Sequence, residues 1–356
     1  MKYRKHFWAL VLALSTSMAF HSTLQAQNKG KTKKPAGRDL SIGHYNVENL
    51  FDTLDDPATD DQDFLPTASL SWGEARYYQK LGQISGIIAQ LNRGAVPDFL
   101  GLCEIENQSV INDLLRQPPL RKSNLGSIHA DSKDPRGIDV ALLYNKSLFK
   151  PFARADQVID LPGDSLPPTR PILVVSGRLS SGDTLHFLVN HWPSRRGGNE
   201  KSVPNRYAAA RQLRKTVDSL YARYGGSDRC LVVLLGDFND TPQDPSIRLI
   251  LGADSTASRG LFHPMAGLAG GSYCYQDRWE WLDQIMLSKA LQDRPLTGSM
   301  PYYIQGSATT VELPNLRQQD GKFKGYPFRT YAGNRYLGGP SDHLPVLLYL
   351  RCPSCP

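Results

Sequence analysis

Short runs of apolar residues recur along the chain at 40–47, 97–103, 138–144, 171–177, 184–190, 230–236, 282–287 and 345–350, each with the length and β-type composition of a strand. Several are almost wholly apolar. Cys230-Leu-Val-Val-Leu-Leu-Gly236 has no polar side chain to give to water, which suits a strand covered on both faces. Two segments follow a different period. Tyr77, Leu81, Ile84, Ile88 and Leu91 within 74–92, and Tyr207, Ala210, Leu213, Val217 and Leu220 within 205–224, are spaced by three or four and predict helices lying on a sheet. Strands spread over the whole length with helices between them, and no break in composition after residue 39, predict one α/β domain with two layers of sheet covered by helices.

The first residues do not belong to that pattern. A basic start, an apolar run from Phe7 to Phe20 and a polar stretch ending Leu24-Gln25-Ala26 have the order of a secretory signal peptide, so 1–26 reads as a leader and 27–38 as a basic linker. The fourteen-residue run falls short of the roughly 20 residues that cross a bilayer, and no later segment is apolar enough to do so. The expected product is exported, periplasmic or secreted, without a stable membrane span and monomeric. The leader and linker also explain the formal charge of +7: they hold eight of the 41 basic residues and no acid, leaving 33 basic against 34 acidic from Asp39 onward. Any anionic partner must therefore be held by local patches.

The folded domain is expected over 39–351, followed by a tail, 352–356, carrying Cys352 and Cys355. A terminal disulfide fits this lone pair better than a zinc site, which needs a second pair. Cys103 and Cys230 sit inside apolar runs, where buried free thiols are ordinary. The acidic stretch Asp55–Asp63 lacks the spacing and glycine of a calcium loop and reads as a solvated loop.

Candidate chemistry lies where apolar strands end on polar residues. Run 40–47 delivers Asn46 and then Glu48, 97–103 runs into Glu104, 184–190 ends at Asn190-His191, and 230–236 ends at Asp237 and Asn239. Asp283 begins the run Leu282–Leu287, and Asp342-His343 precede the last strand. Any one of these could be a helix cap or turn residue. Together they supply carboxylates hard enough for Mg²⁺ or Mn²⁺, donors for a phosphoryl oxygen, and acid–base groups to activate water. No G-x-S-x-G elbow and no Gly-rich loop with Lys is present, which weighs against an acyl hydrolase or an NTPase.

The order of these motifs resembles the endonuclease/exonuclease/phosphatase superfamily with the deoxyribonuclease I-like fold. The matching stretches are His44-Tyr-Asn-Val-Glu-Asn-Leu50, Asp98-Phe-Leu-Gly-Leu-Cys-Glu104, Arg136-Gly-Ile-Asp-Val-Ala-Leu-Leu-Tyr144, Val189-Asn-His-Trp-Pro-Ser-Arg195, Gly236-Asp-Phe-Asn239, Leu282-Asp-Gln-Ile-Met-Leu-Ser288 and Ser341-Asp-His-Leu-Pro-Val346. The resemblance implies a four-layer α/β/β/α sandwich. It also implies roles: Glu104 as principal ligand of Mg²⁺ or Mn²⁺, with Ca²⁺ as the third candidate ion, and Asn46, Glu48 and Asp342 in or near the metal shell. His343 would contact the scissile phosphate or exchange its proton, oriented by Asp283. Asp237 would position the attacking water, Asn239 would hold a phosphoryl oxygen, and His191 would stabilise charge on the pentacovalent phosphorus. Asp283-Gln-Ile departs from the aromatic residue often found after this aspartate, and Glu48 stands where members vary.

Substrate choice is less determined than site chemistry, because it lives in loops. Arg195, Arg196, Lys201, Arg206, Arg211, Arg214 and Lys215 form a basic concentration soon after His191, and Arg195, Arg196 and Arg136 are the candidate substrate contacts. Tyr273, Tyr275, Trp279 and Trp281 precede Asp283 and could stack on bases or a lipid headgroup, with core packing the expectation for half of them. The leading expectation is a nuclease of low sequence specificity acting on DNA or RNA. The alternatives are the same site acting on sphingomyelin or inositol phosphates, and an inactive binding module.

Overall fold

The computed structural model describes residues 37–163, 167–293 and 299–356. The leader, and all of the linker but its last two residues, lie outside the described residues. All eight expected strands form: β1 (Arg38–Leu50), β2 (Phe99–Ile105), β4 (Asp139–Asn145), β6 (Ile172–Leu179), β7 (Thr184–His191), β8 (Leu231–Asp237), β9 (Asp283–Ser288) and β10 (Val346–Cys352). Two further strands, β3 (Leu125–Ala130) and β5 (Phe149–Gln157), escaped the sequence reading. Both lie at sheet edges, and β5, with Pro151 and several charged side chains, buries only Phe149 fully. Such a strand carries little apolar signal.

Helices α1 (Glu74–Ile88) and α3 (Asn199–Tyr224) match the two helical patterns, and α2 (Gln108–Arg116) joins them, capped by Asn107, whose side chain accepts the Val110 N–H. α3 starts six residues before the expected 205 because Pro204 is carried inside the helix rather than before it.

The strands form two seven-stranded sheets. The first runs Tyr302–Tyr303, β10, β1, β2, β4, β3, with Thr309–Thr310 also pairing β10; the second runs β5, β6, β7, β8, β9 and then two short strands at Leu261–Phe262 and Ala253–Asp254. Apolar side chains of both inner faces, including Ile42, Phe99, Leu142 and Leu348 from one sheet and Val175, Phe187, Val233 and Ile285 from the other, make one continuous core. The outer face of the first sheet is covered by α1 and α2 through Leu81, Ile84, Ile88 and Leu114, and that of the second by α3 through Ala209, Leu213 and Val217. The result is the four-layer sandwich that the resemblance implies.

A buried tryptophan, the cysteines and the acidic loop complete this frame. Trp72 is fully buried, its indole N–H donating to the Phe51 carbonyl (3.0 Å). Cys352 and Cys355 are disulfide-bonded, with Cys352 the last residue of β10 rather than the first of a tail, and Cys103, Cys230 and Cys274 are buried free thiols. The acidic loop is not wholly solvated: Asp61 is buried and accepts the Asp56 N–H.

Candidate active site

Strand register, rather than proximity in sequence, assembles the site. β7 and β8 are parallel with His191 opposite Asp237, and β8 and β9 are antiparallel with Asp237 opposite Asp283. Three of the expected residues therefore stand on one rung at the edge of the second sheet. In the first sheet the parallel pair β1/β2 sets Asn46 opposite Cys103, beside Glu104. There the ladder breaks. Cys103 pairs with Val140 and Ile105 with Asp139, so Glu104 is an extra residue in a bulge, and β1 shifts register between Asn46 and Leu50. Bulges re-aim a side chain out of the pleat. Glu48, Asn49, Glu104 and Asn239 all have positive φ (47°, 52°, 63° and 51°), a conformation that non-glycine residues adopt at a cost of order 1–3 kcal/mol each.

The bulged strands converge through Asn46. Its amide N–H group donates to Glu104 Oε1 (3.3 Å) and Asp237 Oδ2 (3.1 Å), while its oxygen accepts the Glu48 N–H. Asn49 N–H binds the other Glu104 oxygen at 2.9 Å. His191 Nε2 lies 3.7 Å from Glu104 Oε1 and 3.8 Å from Asp237 Oδ2. His343 faces the same group, with Nδ1 2.6 Å from Asp283 Oδ2 and Nε2 4.0 Å from Asp237 Oδ2 and 3.9 Å from Asp342 Oδ1. Asn239 completes the ring: its N–H donates to Asp237 Oδ1 and its side-chain amide to the Trp192 carbonyl, which leaves one amide hydrogen for a ligand.

The two imidazoles are pushed to opposite states. Burial lowers the His191 pKa well below its usual value, and Arg170 and Arg136 lower it further, so this ring is neutral. Burial would lower His343 as well, but the Asp283 carboxylate and its hydrogen bond, with help from Asp237 and Asp342, hold it well above its usual value. Asp283 answers in kind: burial opposes its charge, yet His343 and His44 keep it below the carboxylate range. Asp237 is raised to about 6 by burial and by Asp283 and Glu104, with His343 pulling the other way. A charged imidazolium beside a carboxylate poised near neutrality is an acid and a base set apart by environment.

The structure also shows residues that sequence reading missed. His44 on β1 brings Nε2 within 3.2 Å of Asp283 Oδ1, backing the His343 pair from the other sheet. Arg170 donates to Asp134 (2.7 Å) and to the Trp192 carbonyl (2.8 Å), fixing the loop after His191. Buried Lys80 donates to the Glu48 carbonyl and to Thr330 Oγ1. Arg329 holds Asp342 at 2.6 Å. His44 was signalled by its place in the first motif, but Lys80, Arg329 and Thr330 lie in helix and loop segments that give no sign of the site.

Several expected roles change. Arg195 is not a free phosphate clamp: its Nε donates to the Asn239 carbonyl (2.8 Å), its guanidinium to both Glu280 oxygens (3.1 and 2.9 Å), and Asp244 lies 3.6 Å away. Asp240, 3.9 Å from Nε, is the third acid there, so the fork is taken up by the protein itself. Arg206 is likewise buried on Asp240 (2.6 Å). Arg196 stays exposed, and Arg136 is half-exposed 3.7 Å from Asp134, so both remain available to a substrate. Trp281 is buried in the core between the sheets and Trp279 packs against the separate apolar cluster that α1 and α2 cover, whereas Tyr273 stands beside His343 and Tyr275 lies on the same wall as Tyr273. The Glu48 carboxyl is occupied by the Thr330 N–H (2.7 Å) and raised to about 8 by burial and by Asp342.

Among the described residues no group of three or more His, Cys, Asp or Glu side chains is gathered closely enough to cage a metal. The donor chemistry still fits a hard cation. Glu104, Asp237 and Asp342 are oxygen donors, Arg329 is paired to Asp342, and Asp237 and Glu48 are raised first by burial and then by neighbouring carboxylates. Mg²⁺ takes one or two carboxylates and completes its shell with water and substrate phosphate.

Comparison with known proteins agrees with this geometry. No curated protein sequence matches the chain. Among solved structures, an endonuclease/exonuclease/phosphatase family protein from Bacteroides thetaiotaomicron superposes with a TM-score of 0.56 at 16% identity, over 89% of this chain and 98% of that one. A mannosyl-6-phosphatase of the same organism gives 0.53 at 16% identity, covering 87% and 99%, and truncated TDP2 from Caenorhabditis elegans gives 0.53 at 15%, covering 89% and 98%. At such identities these likenesses speak for the fold. The sequence profile of the endonuclease/exonuclease/phosphatase family matches residues 41–352, nearly the whole domain, and the chain belongs to that family of phosphoester hydrolases.

Proposed function

We propose that this protein is an exported, divalent-metal-dependent phosphodiesterase that cleaves nucleic acid by in-line attack of water. The observation that carries the reading is the convergence of two histidines on one buried carboxylate: His191 and His343 both bring Nε2 within 4.0 Å of Asp237, which Asn46 ties to Glu104, and Asp283 holds His343 from behind at 2.6 Å. Asp237, raised to about 6, accepts a proton from water near neutral pH. His343 Nε2 donates to the phosphoryl or leaving oxygen, and His191 and the free Asn239 amide hydrogen meet the equatorial oxygens. Glu104 is the residue that would hold Mg²⁺, Mn²⁺ or Ca²⁺, with Asn46 and Asp342 beside it; when bound, the ion supplies charge neutralisation on the phosphate. Export rests on the leader at 1–26, and Arg196 and Arg136 are the exposed cations for the substrate backbone.

A second reading, a phosphomonoesterase on a small phosphate ester, is favoured by one observation: Arg195 and Arg206 are consumed by internal acids, which thins the cationic track that a long polyanion would follow. The test is mature protein, residues 27–356, incubated with supercoiled plasmid and Mg²⁺ or Mn²⁺, with chelator and His343→Ala controls. Nicking that needs both metal and His343 supports the phosphodiesterase. No nicking, with hydrolysis of mannose 6-phosphate, inositol phosphates or sphingomyelin, moves the substrate and keeps the site. Silence on all of them returns the chain to a binding module.

A further inference from the structure

The cleft continues past His343. A cavity of about 590 Å³ opens there, with Asp342 and Tyr273 on its wall. Tyr273 belongs to both places: its ring centroid is 4.9 Å from the His343 imidazole, and its backbone bridges to that of His343. Tyr275, Phe323 and Tyr326 add three more aromatic rings to a wall that also carries Lys322, Arg329 and Leu337. Tyr275 and Phe323 are 61% and 45% exposed, so folding has not buried these rings. They are held in place nonetheless. Tyr275 ends one strand of the hairpin Tyr273–Tyr275/Arg278–Glu280, whose turn residues Gln276 and Asp277 take positive φ. Tyr326 OH donates to Asp277 Oδ1 (2.5 Å) and accepts the Asp277 N–H (2.7 Å), tying the hairpin tip to the segment that carries Phe323. Exposed rings fixed before any ligand arrives lose little freedom on binding.

We propose that this cavity binds a nucleobase, that of the nucleotide whose phosphate lies at His343. The inference rests on the phosphodiesterase reading and adds a base subsite to it. A flat neutral ring stacks on any of the three exposed or half-exposed tyrosine and phenylalanine faces, and Gln276 and Gln318 on the same wall can meet the polar edge of a base. A quaternary ammonium headgroup, the other ligand that aromatic walls attract, meets Lys322 already 5.5 Å over the Phe323 ring. A sugar alone offers C–H faces but no flat aromatic ring to stack.

The test compares binding of dAMP, 2-deoxyribose 5-phosphate and glycerophosphocholine to the mature protein in chelator, where no turnover intervenes, with cleavage of a dinucleotide measured separately in Mg²⁺. The expected result is that dAMP binds about 5- to 100-fold more tightly than either ligand without a base. Tyr275→Ala and Phe323→Ala each shrink that ratio, and Tyr275→Trp restores it. Equal binding of dAMP and deoxyribose phosphate, tighter binding of glycerophosphocholine, or a dAMP preference untouched by both alanine substitutions overturns the inference. The two levels fail separately: a base preference that depends on Tyr275 in a protein that cleaves no dinucleotide sinks the phosphodiesterase reading alone, while dinucleotide cleavage without base preference sinks the subsite alone.

Discussion

Replacing Asp283 by Asn tests the electrostatic core of the site with almost no change of shape. Asp283 is fully buried, 2.6 Å from His343 Nδ1 and 3.2 Å from His44 Nε2. A unit charge pair at that first distance attracts by about 6 kcal/mol at an effective dielectric near 20, which sets the ceiling on what the carboxylate does for the imidazolium. The isosteric amide keeps a hydrogen bond and loses the charge, so His343 falls back toward or below its ordinary value and is neutral at pH 7. Asp283→Asn is therefore expected to lose about 10²- to 10⁴-fold in kcat, or about 3–5 kcal/mol of transition-state stabilisation, while its melting temperature stays close to that of the parent. The pH optimum of the residual activity should move to lower pH, because protonation below about 6.5 restores the donor that Asp283 otherwise maintains, and the rate should fall again once Asp237, raised to about 6, is itself protonated. The assay is single-turnover cleavage of a dinucleotide or plasmid across pH 5–9, with His343→Ala and the double variant alongside. Because both residues act through one proton, the double variant should be no slower than His343→Ala. Activity of Asp283→Asn within threefold of the parent, or fully additive losses, would refute the reasoning.

Other perturbations read the scaffold. Burial raises Glu106 to about 8, so its protonated form favours the fold below about pH 4.5 and that stability is lost as pH rises toward 8; Glu106→Gln should flatten the fall in melting temperature over that window. A Cβ on Gly236 would lie 2.2 Å from the Asn190 carbonyl oxygen, so Gly236→Ala should cost about 1–3 kcal/mol in urea unfolding and disturb the His191–Asp237 rung. Arg206→Ala strands the buried Asp240 carboxylate and should cost about 3–5 kcal/mol, whereas Arg196→Ala on the surface should leave the melting temperature unmoved and reduce the salt dependence of nucleic-acid binding.

The sequence alone determined the strand inventory wherever a strand is buried on both faces, because a continuous apolar run such as Cys230–Leu235 has no other stable placement. It failed at β3 and β5, edge strands whose polar faces leave no periodic signal. It also named most of the residues that the structure gathers at the candidate site, since a polar residue at the end of an apolar strand emerges at the end of a sheet, and six such strand ends follow one another along the chain. What those residues do to one another was decided only by the tertiary structure. Register placed His191, Asp237 and Asp283 on one rung, a bulge turned Glu104 out of its ladder, and His44 and Asp283 met across two sheets. Charge counting along the chain made Arg195 a substrate contact and put Arg206 in the same basic concentration, yet each is spent on acids distant in sequence, Glu280 and Asp240 among them. Charge in a sequence is a sum, whereas its availability depends on which opposite charges the fold brings within about 4 Å, and that information is not local. The aromatic cavity beside His343 is of the same kind: Tyr275 and Phe323 are 48 positions apart, and only the closure of the hairpin onto the later loop makes them one surface.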